Sequence, residues 1–197
     1  MQVARHAALR ASNAHHNVAD AHSLIANHWQ EVVAPSVRPF QNYTHPGYNT
    51  HMHAMHLHRV RATEHASRRL AILKSEHTHS DAHLLALEQE FALSELHATA
   101  GLMQLKASDA YEKARRHAIR AGNHTEARSS SRSMCHHALQ SLHHTPLNAA
   151  NFDPKDAMSH ASSAVHAANQ ISQRYMEQER ITLLVVGNQT TALQPQG

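Results

Sequence analysis

Between residues 51 and 107 the chain has no proline and a single glycine, Gly101. So long a run without a breaker is compatible with helix and with little else, because strands are short and need turn residues between them. Apolar side chains supply the anchors: Met52, Met55, Val60, Ala66, Leu70 and Leu73, then Leu84, Leu87, Phe91, Leu96, Met103 and Leu105. Unbroken, the segment would run ~85 Å at 1.5 Å per residue. A break is expected at Thr78-His79-Ser80, where Ser80 suits an N-cap. Ser108 is read as the cap of the next helix, interrupted at Gly122-Asn123 and again at Ser129-Ser130-Ser131, with a final segment MCHHALQSLHH ending before Pro146. The clearest local signal is Asp153-Pro154-Lys155-Asp156, in which aspartate caps, proline takes the first helical position and a second acid aligns with the helix dipole.

Upstream, Ala7, Ala11, Ala14, Val18, Ala21, Ile25, Trp29 and Val32 recur at spacings of three and four, which predicts a helix over 3–34. PSVRPFQNYTHPGYN then holds three prolines and a glycine and reads as a loop or crossing, with Phe40, Tyr43 and Tyr48 packed against something. The expected fold is all-α: a single domain of 197 residues forming an elongated multi-helix bundle or helical array. Its parts are a basic, His-rich helix (1–34), a Pro-rich aromatic loop (35–50), long helices (51–184) and an extended C-terminal tail (185–197). Much of the 41% hydrophobic content is alanine and aromatics are only 4%, so the core is thin and its helices pack closely.

A lone cysteine, Cys135, excludes an internal disulfide framework and cysteine-based zinc patterns. No apolar run is long enough for a membrane span, so no membrane partner is expected. The stretch MQVARHAALRASNAHH lacks the apolar block of a secretory leader, which points to the cytoplasm or a virion. There is no phosphate-binding glycine loop and no GxSxG. Cys135 is followed by His136 and His137, but neighbouring positions on a helix do not aim a base at a nucleophile. No enzymatic activity is expected.

The 23 histidines are the unusual feature. Net charge is +3 with histidine neutral, and each imidazole adds a charge in mild acid. In HMHAMHLH, residues 51–58, His51 and His58 share one helix side and His53 and His56 the other, so the four do not serve one ion from a regular helix. Ligand pairs on a helix lie three or four apart. Only His53/His56 and His79/His83 do so, whereas separations of seven recur: His15/His22, His51/His58, His58/His65, His117/His124, His136/His143 and His137/His144. Two helical turns are too far for a shared ion but suit a polar row at a helix–helix or helix–partner seam. Glu76, His83, Glu90 and His97 continue that spacing. The best metal constellation is Glu76, His79 and His83, with zinc or another transition metal as the candidate cofactor.

Basic residues gather in residues 1–63 and 113–132. Arg5, Arg10, Arg59, Arg61, Arg115, Arg116 and Arg120 are the candidate phosphate contacts for non-specific DNA or RNA binding. A basic first helix, a Pro-rich crossing and long Ala-rich helices together make an architecture that resembles helical capsid proteins of filamentous DNA viruses. The resemblance is one of architecture and charge and assigns no residue a role. The leading expectation is a structural subunit in an assembly of its own copies or other subunits, packaging nucleic acid. A helical bundle that binds or stores metal is the alternative.

Overall fold

The computed structural model describes residues 1–33, 46–74 and 80–192, and these form an all-α bundle of five long helices. They are α1 (Gln2–His28), α2 (Pro46–Lys74), α3 (Asp81–Arg120), α4 (His124–Ser141) and α5 (Pro154–Ala192). Short 3-10 turns at Leu142–His144 and Ala149–Asn151 join α4 to α5. No helix among the described residues is long and apolar enough to cross a membrane.

α3 is the spine. At 40 residues it spans ~60 Å. Its first half is covered by α1, running parallel to it, and by α2, running antiparallel, as the pairs Arg10–Glu95 and Arg68–Glu90 show. Its second half is covered by α4, which folds back along it, and by α5, which runs with it: the Gln104 amide donates to the Ala157 carbonyl, and Ala118 packs on Tyr175.

Side-chain size explains the close packing. Ala4, Ala7, Ala8 and Ala11 of α1 meet Ile72, Leu84 and Phe91, while Val18 meets Ala98 and Leu105. Alanine buries little area, so the few large side chains count most: Phe91, fully buried, contributes about 1.5–3 kcal/mol. Gly101 lies where α1, α3 and the turn after α4 converge; a Cβ there would sit 3.4 Å from Val18 Cγ2 and 3.5 Å from His144 Cβ.

The break before α3 is where expected: Ser80 caps it, its side chain accepting from the His83 N–H at 3.3 Å. Gly122, at φ 72°, and Asn123, which accepts from the Glu126 N–H at 3.0 Å, separate α3 from α4. Asp153 accepts from the Lys155 N–H at 2.8 Å and opens α5. Four expectations differ from the structure. Ser108 does not cap a helix; it lies buried inside α3, because the apolar rows continue on both sides of it. Ser129-Ser130-Ser131 does not interrupt α4, since Ser130 is small enough to sit in the packed face. Pro46 belongs to the first turn of α2 rather than to the loop, a position where its missing N–H costs no hydrogen bond. Residues 185–192 continue α5 as helix, whereas Phe40, Tyr43 and residues 193–197 lie outside the described residues.

Candidate functional site: a buried histidine ladder

The heptad rows of α1 and α2 face each other. The antiparallel crossing brings His22 against His51 and His15 against His58, with Nδ1–Nδ1 distances of 2.9 and 2.8 Å. His65 reaches across to α3: His15 Nε2 and His65 Nε2 each lie 2.9 Å from Ser94 Oγ. Between rungs the rings are in contact, His22 stacked on His58 at 5.5 Å and His15 tilted against His65 at 5.4 Å. All five imidazoles are at most 2% exposed. Phe91 closes one end, edge-on to His65.

A hydrogen bond between two Nδ1 atoms needs one donor and one acceptor, so the two rings of a neutral rung hold opposite tautomers. Along His58–His15–Ser94–His65 three proton arrangements satisfy every contact, because a hydroxyl donates one hydrogen bond and accepts two. In one, His58 Nδ1–H donates to His15, His15 Nε2–H donates to Ser94, and the Ser94 hydroxyl donates to His65. In the second every bond is reversed, and in the third His15 Nε2–H and His65 Nε2–H both donate to the Ser94 oxygen. The buried ends, His58 Nε2 and His65 Nδ1, have no protein partner in any of them. Every contact in the column is therefore met with all its rings neutral.

Burial, first of all, keeps the ladder neutral. It lowers His22 to about 3, helped by the neighbouring His51, and lowers His15 to about 3, with His65 and Arg61 adding repulsion. Burial alone takes His51 down to about 4; at His65, also near 4, Arg61 and Arg68 reinforce it. His58 is pushed lowest, by burial and then by His15 and His22. An unfolded histidine takes a proton below about pH 6.5 and the folded ladder does not, so the unfolded chain binds more protons there. The stability is present above that value and is lost as pH falls toward the depressed folded values.

A second, smaller seam joins α3 to the turn after α4. His97 and His144 lie Nδ1 to Nδ1 at 3.2 Å, and burial, followed by its histidine neighbours His97 and His143, takes His144 to about 4. His137 meets Gln104 Oε1 at 2.7 Å.

The zinc or transition-metal expectation is corrected. Among the described residues no group of three His, Cys, Asp or Glu side chains is placed to hold an ion. In HMHAMHLH, His51 and His58 face inward and His53 and His56 outward. The inward rings are joined by hydrogen bonds of 2.8–2.9 Å, closer than the ~3.3 Å between nitrogens on a tetrahedral zinc with bonds of about 2.0–2.1 Å. His83 is on the exposed face of the first turn of α3; Glu76 and His79 lie outside the described residues. Burial holds the Cys135 thiol above its ordinary value, the reverse of an activated nucleophile.

The candidate phosphate contacts divide. Arg10 pairs with Glu95 at 3.0 Å, Arg59 with Asp20 at 3.6 Å, and Arg61 with Glu64 at 2.9 Å. Arg115 grips both oxygens of Glu112, at 2.5 and 2.8 Å, and Arg116 adds a third bond at 2.9 Å. Arg5 donates to Met1 Sδ at 3.9 Å. Arg120, the last residue of α3, has no carboxylate partner among the described residues, and beyond the turn His124, Arg128, Arg132 and His136 form a row, all exposed and four residues apart along α4. Comparison of the chain with family models, curated proteins and solved structures finds no match.

Proposed function

We propose that this chain is a structural subunit of a protein assembly, joined to its neighbours through α5. The observation that carries the reading is the one-sided packing of α5. It lies along α3, and α3 ends at Arg120, beside Gln178 and Glu179, while α5 continues to Ala192. At this end Met176, Ile181 and Leu183 are 46, 51 and 73% exposed. Large apolar side chains left in water forgo about 1.5–3 kcal/mol each, which a facing copy recovers. A two-fold pairing brings Met176 and Leu183, seven residues apart on one face, against their counterparts. Mass measurement by light scattering tests this: the parent protein should form oligomers at tens of micromolar, and Ile181→Asp with Leu183→Asp should leave a folded monomer. A parent chain that stays monomeric throughout would overturn the reading.

A second reading, non-specific binding of a nucleic-acid backbone, is favoured by the unpaired row on α4 rather than by the ion-paired arginines. Successive members lie ~6 Å apart along the axis. Affinity for a DNA duplex should fall steeply with salt, and reversing Arg128 and Arg132 to glutamate should abolish it, while Arg10→Glu has little effect. Equal loss from both would argue for diffuse attraction to the whole molecule.

A further inference from the structure

Where the end of α1 meets α3 and α4, a cavity of about 470 Å³ opens, within the range of small-molecule sites. Its apolar wall comes from Leu24, Ile25, Trp29, Leu102, Leu105 and Met134. The chain leaves α1 here through a π-helical turn, Trp29–Val33, a geometry that recurs at functional sites. Two polar features distinguish this cavity from a packing gap. Ser108 is among the residues that line it and is 1% exposed, and its buried hydroxyl has no hydrogen-bond partner in the protein. Buried hydroxyls are rarely left so, and a buried polar group without a partner calls for an occupant that supplies one. The second feature is Lys106, which stands exposed at the rim with no carboxylate partner among the described residues.

The other titratable groups that face the cavity are committed. Both Glu112 oxygens are taken by Arg115 and Arg116, one carboxylate shared by two guanidinium groups, so that trio keeps a net positive charge. Asp109 is held by Lys113 at 2.7 Å. His28 is kept below its ordinary value mainly by burial. The one uncommitted charge is therefore positive and lies at the mouth, above an apolar interior with a single hydroxyl.

We propose that this cavity binds a small amphipathic carboxylate, its apolar body between Trp29 and Leu105, hydrogen-bonded to Ser108, and its anionic head at Lys106. The site is independent of the assembly contacts on α5.

Trp29 is the chain's only tryptophan, so its fluorescence reports on occupancy directly. Decanoate, titrated below its aggregation limit, should change Trp29 emission saturably, and calorimetry should return the same Kd. Decylamine, with the same body and opposite head, should bind at least tenfold more weakly. Lys106→Glu should weaken decanoate at least tenfold and Ser108→Ala several-fold, with unchanged helicity in both. Three results would each overturn the proposal: no saturable response, decylamine binding as tightly as decanoate, or both variants binding decanoate like the parent.

Discussion

Two heptad rows in this molecule have the same geometry and opposite chemistry. On α2 the row is His51, His58 and His65; on α5 it is Ala161, Ala168 and Tyr175. Every member is at most 3% exposed. The α5 row rests on α3 with one polar contact, in which Asn123 Nδ2 donates to the Tyr175 hydroxyl at 2.8 Å. The α2 row consists of titratable rings bonded to His22 and His15 of α1 and to Ser94 of α3. Burial in a bundle of small residues thus follows from position on the helix. Hydrophobicity is not required where each polar ring meets a partner of the same kind. What differs is the response to protons: the Ala161, Ala168 and Tyr175 row itself holds no imidazole, and the α1–α2 seam is lined with them.

The largest expected effect is therefore regional. One pH unit below the unfolded histidine value, each neutral rung member costs on the order of 1 kcal/mol, and five together approach the whole stability of an ordinary domain, about 5–15 kcal/mol. Hydrogen exchange should show α1 and α2 amides losing protection between pH 6.5 and 5, with α5 amides along Ala161–Tyr175 protected to lower pH. Simultaneous loss in both regions would erase the distinction between the seams. Next in size is the rung itself. His58→Ala at pH 7.5 opens a cavity and strands His15 Nδ1, and should cost about 2–4 kcal/mol in denaturant unfolding. Replacing both rings, His15→Leu with His58→Leu, should cost less than the single change and move the acid midpoint down. A double variant as acid-sensitive as the parent would mean that the ladder does not set the transition.

On the other side of the comparison, Asn123→Ala removes the α4 cap and the bond to Tyr175, and should cost about 1–2 kcal/mol. That loss should be the same at pH 8 and pH 5. A pH-dependent cost would tie the α5 seam to the histidines. The smallest effect is expected at Asp109→Asn, an exposed pair with Lys113, at no more than about 0.5 kcal/mol and vanishing in salt.

Much of this was legible in the residues. The breaker-free segment, Ser80, Gly122-Asn123 and Asp153-Pro154 located the helices, because capping and backbone freedom are local properties. The seven-residue spacing of His15/His22 and His51/His58/His65 marked these as seam positions. Ser108 and Ser129-Ser130-Ser131 were misread for one reason: serine is both a good cap and a side chain small enough for a close helix crossing, and only the neighbouring helix tells which use applies. The ion pairing of the arginines was hidden for a similar reason. Arg10 and Glu95, or Arg59 and Asp20, are far apart in sequence, so their mutual neutralisation is invisible until the helices cross.

The sequence by itself determined that the chain is helical, where most of its helices begin, and that its histidines lie in rows two turns apart. Those outcomes depend on interactions within a few residues along the chain. Tertiary structure decided that the α1 and α2 rows face each other in antiparallel register, that His65 reaches Ser94 of α3, and that Ser108 lies at the wall of a cavity beside the only tryptophan. A row specifies a face but not its partner. The choice of partner depends on how small side chains across three helices fit together, and that fit turns scattered imidazoles into one buried, neutral column.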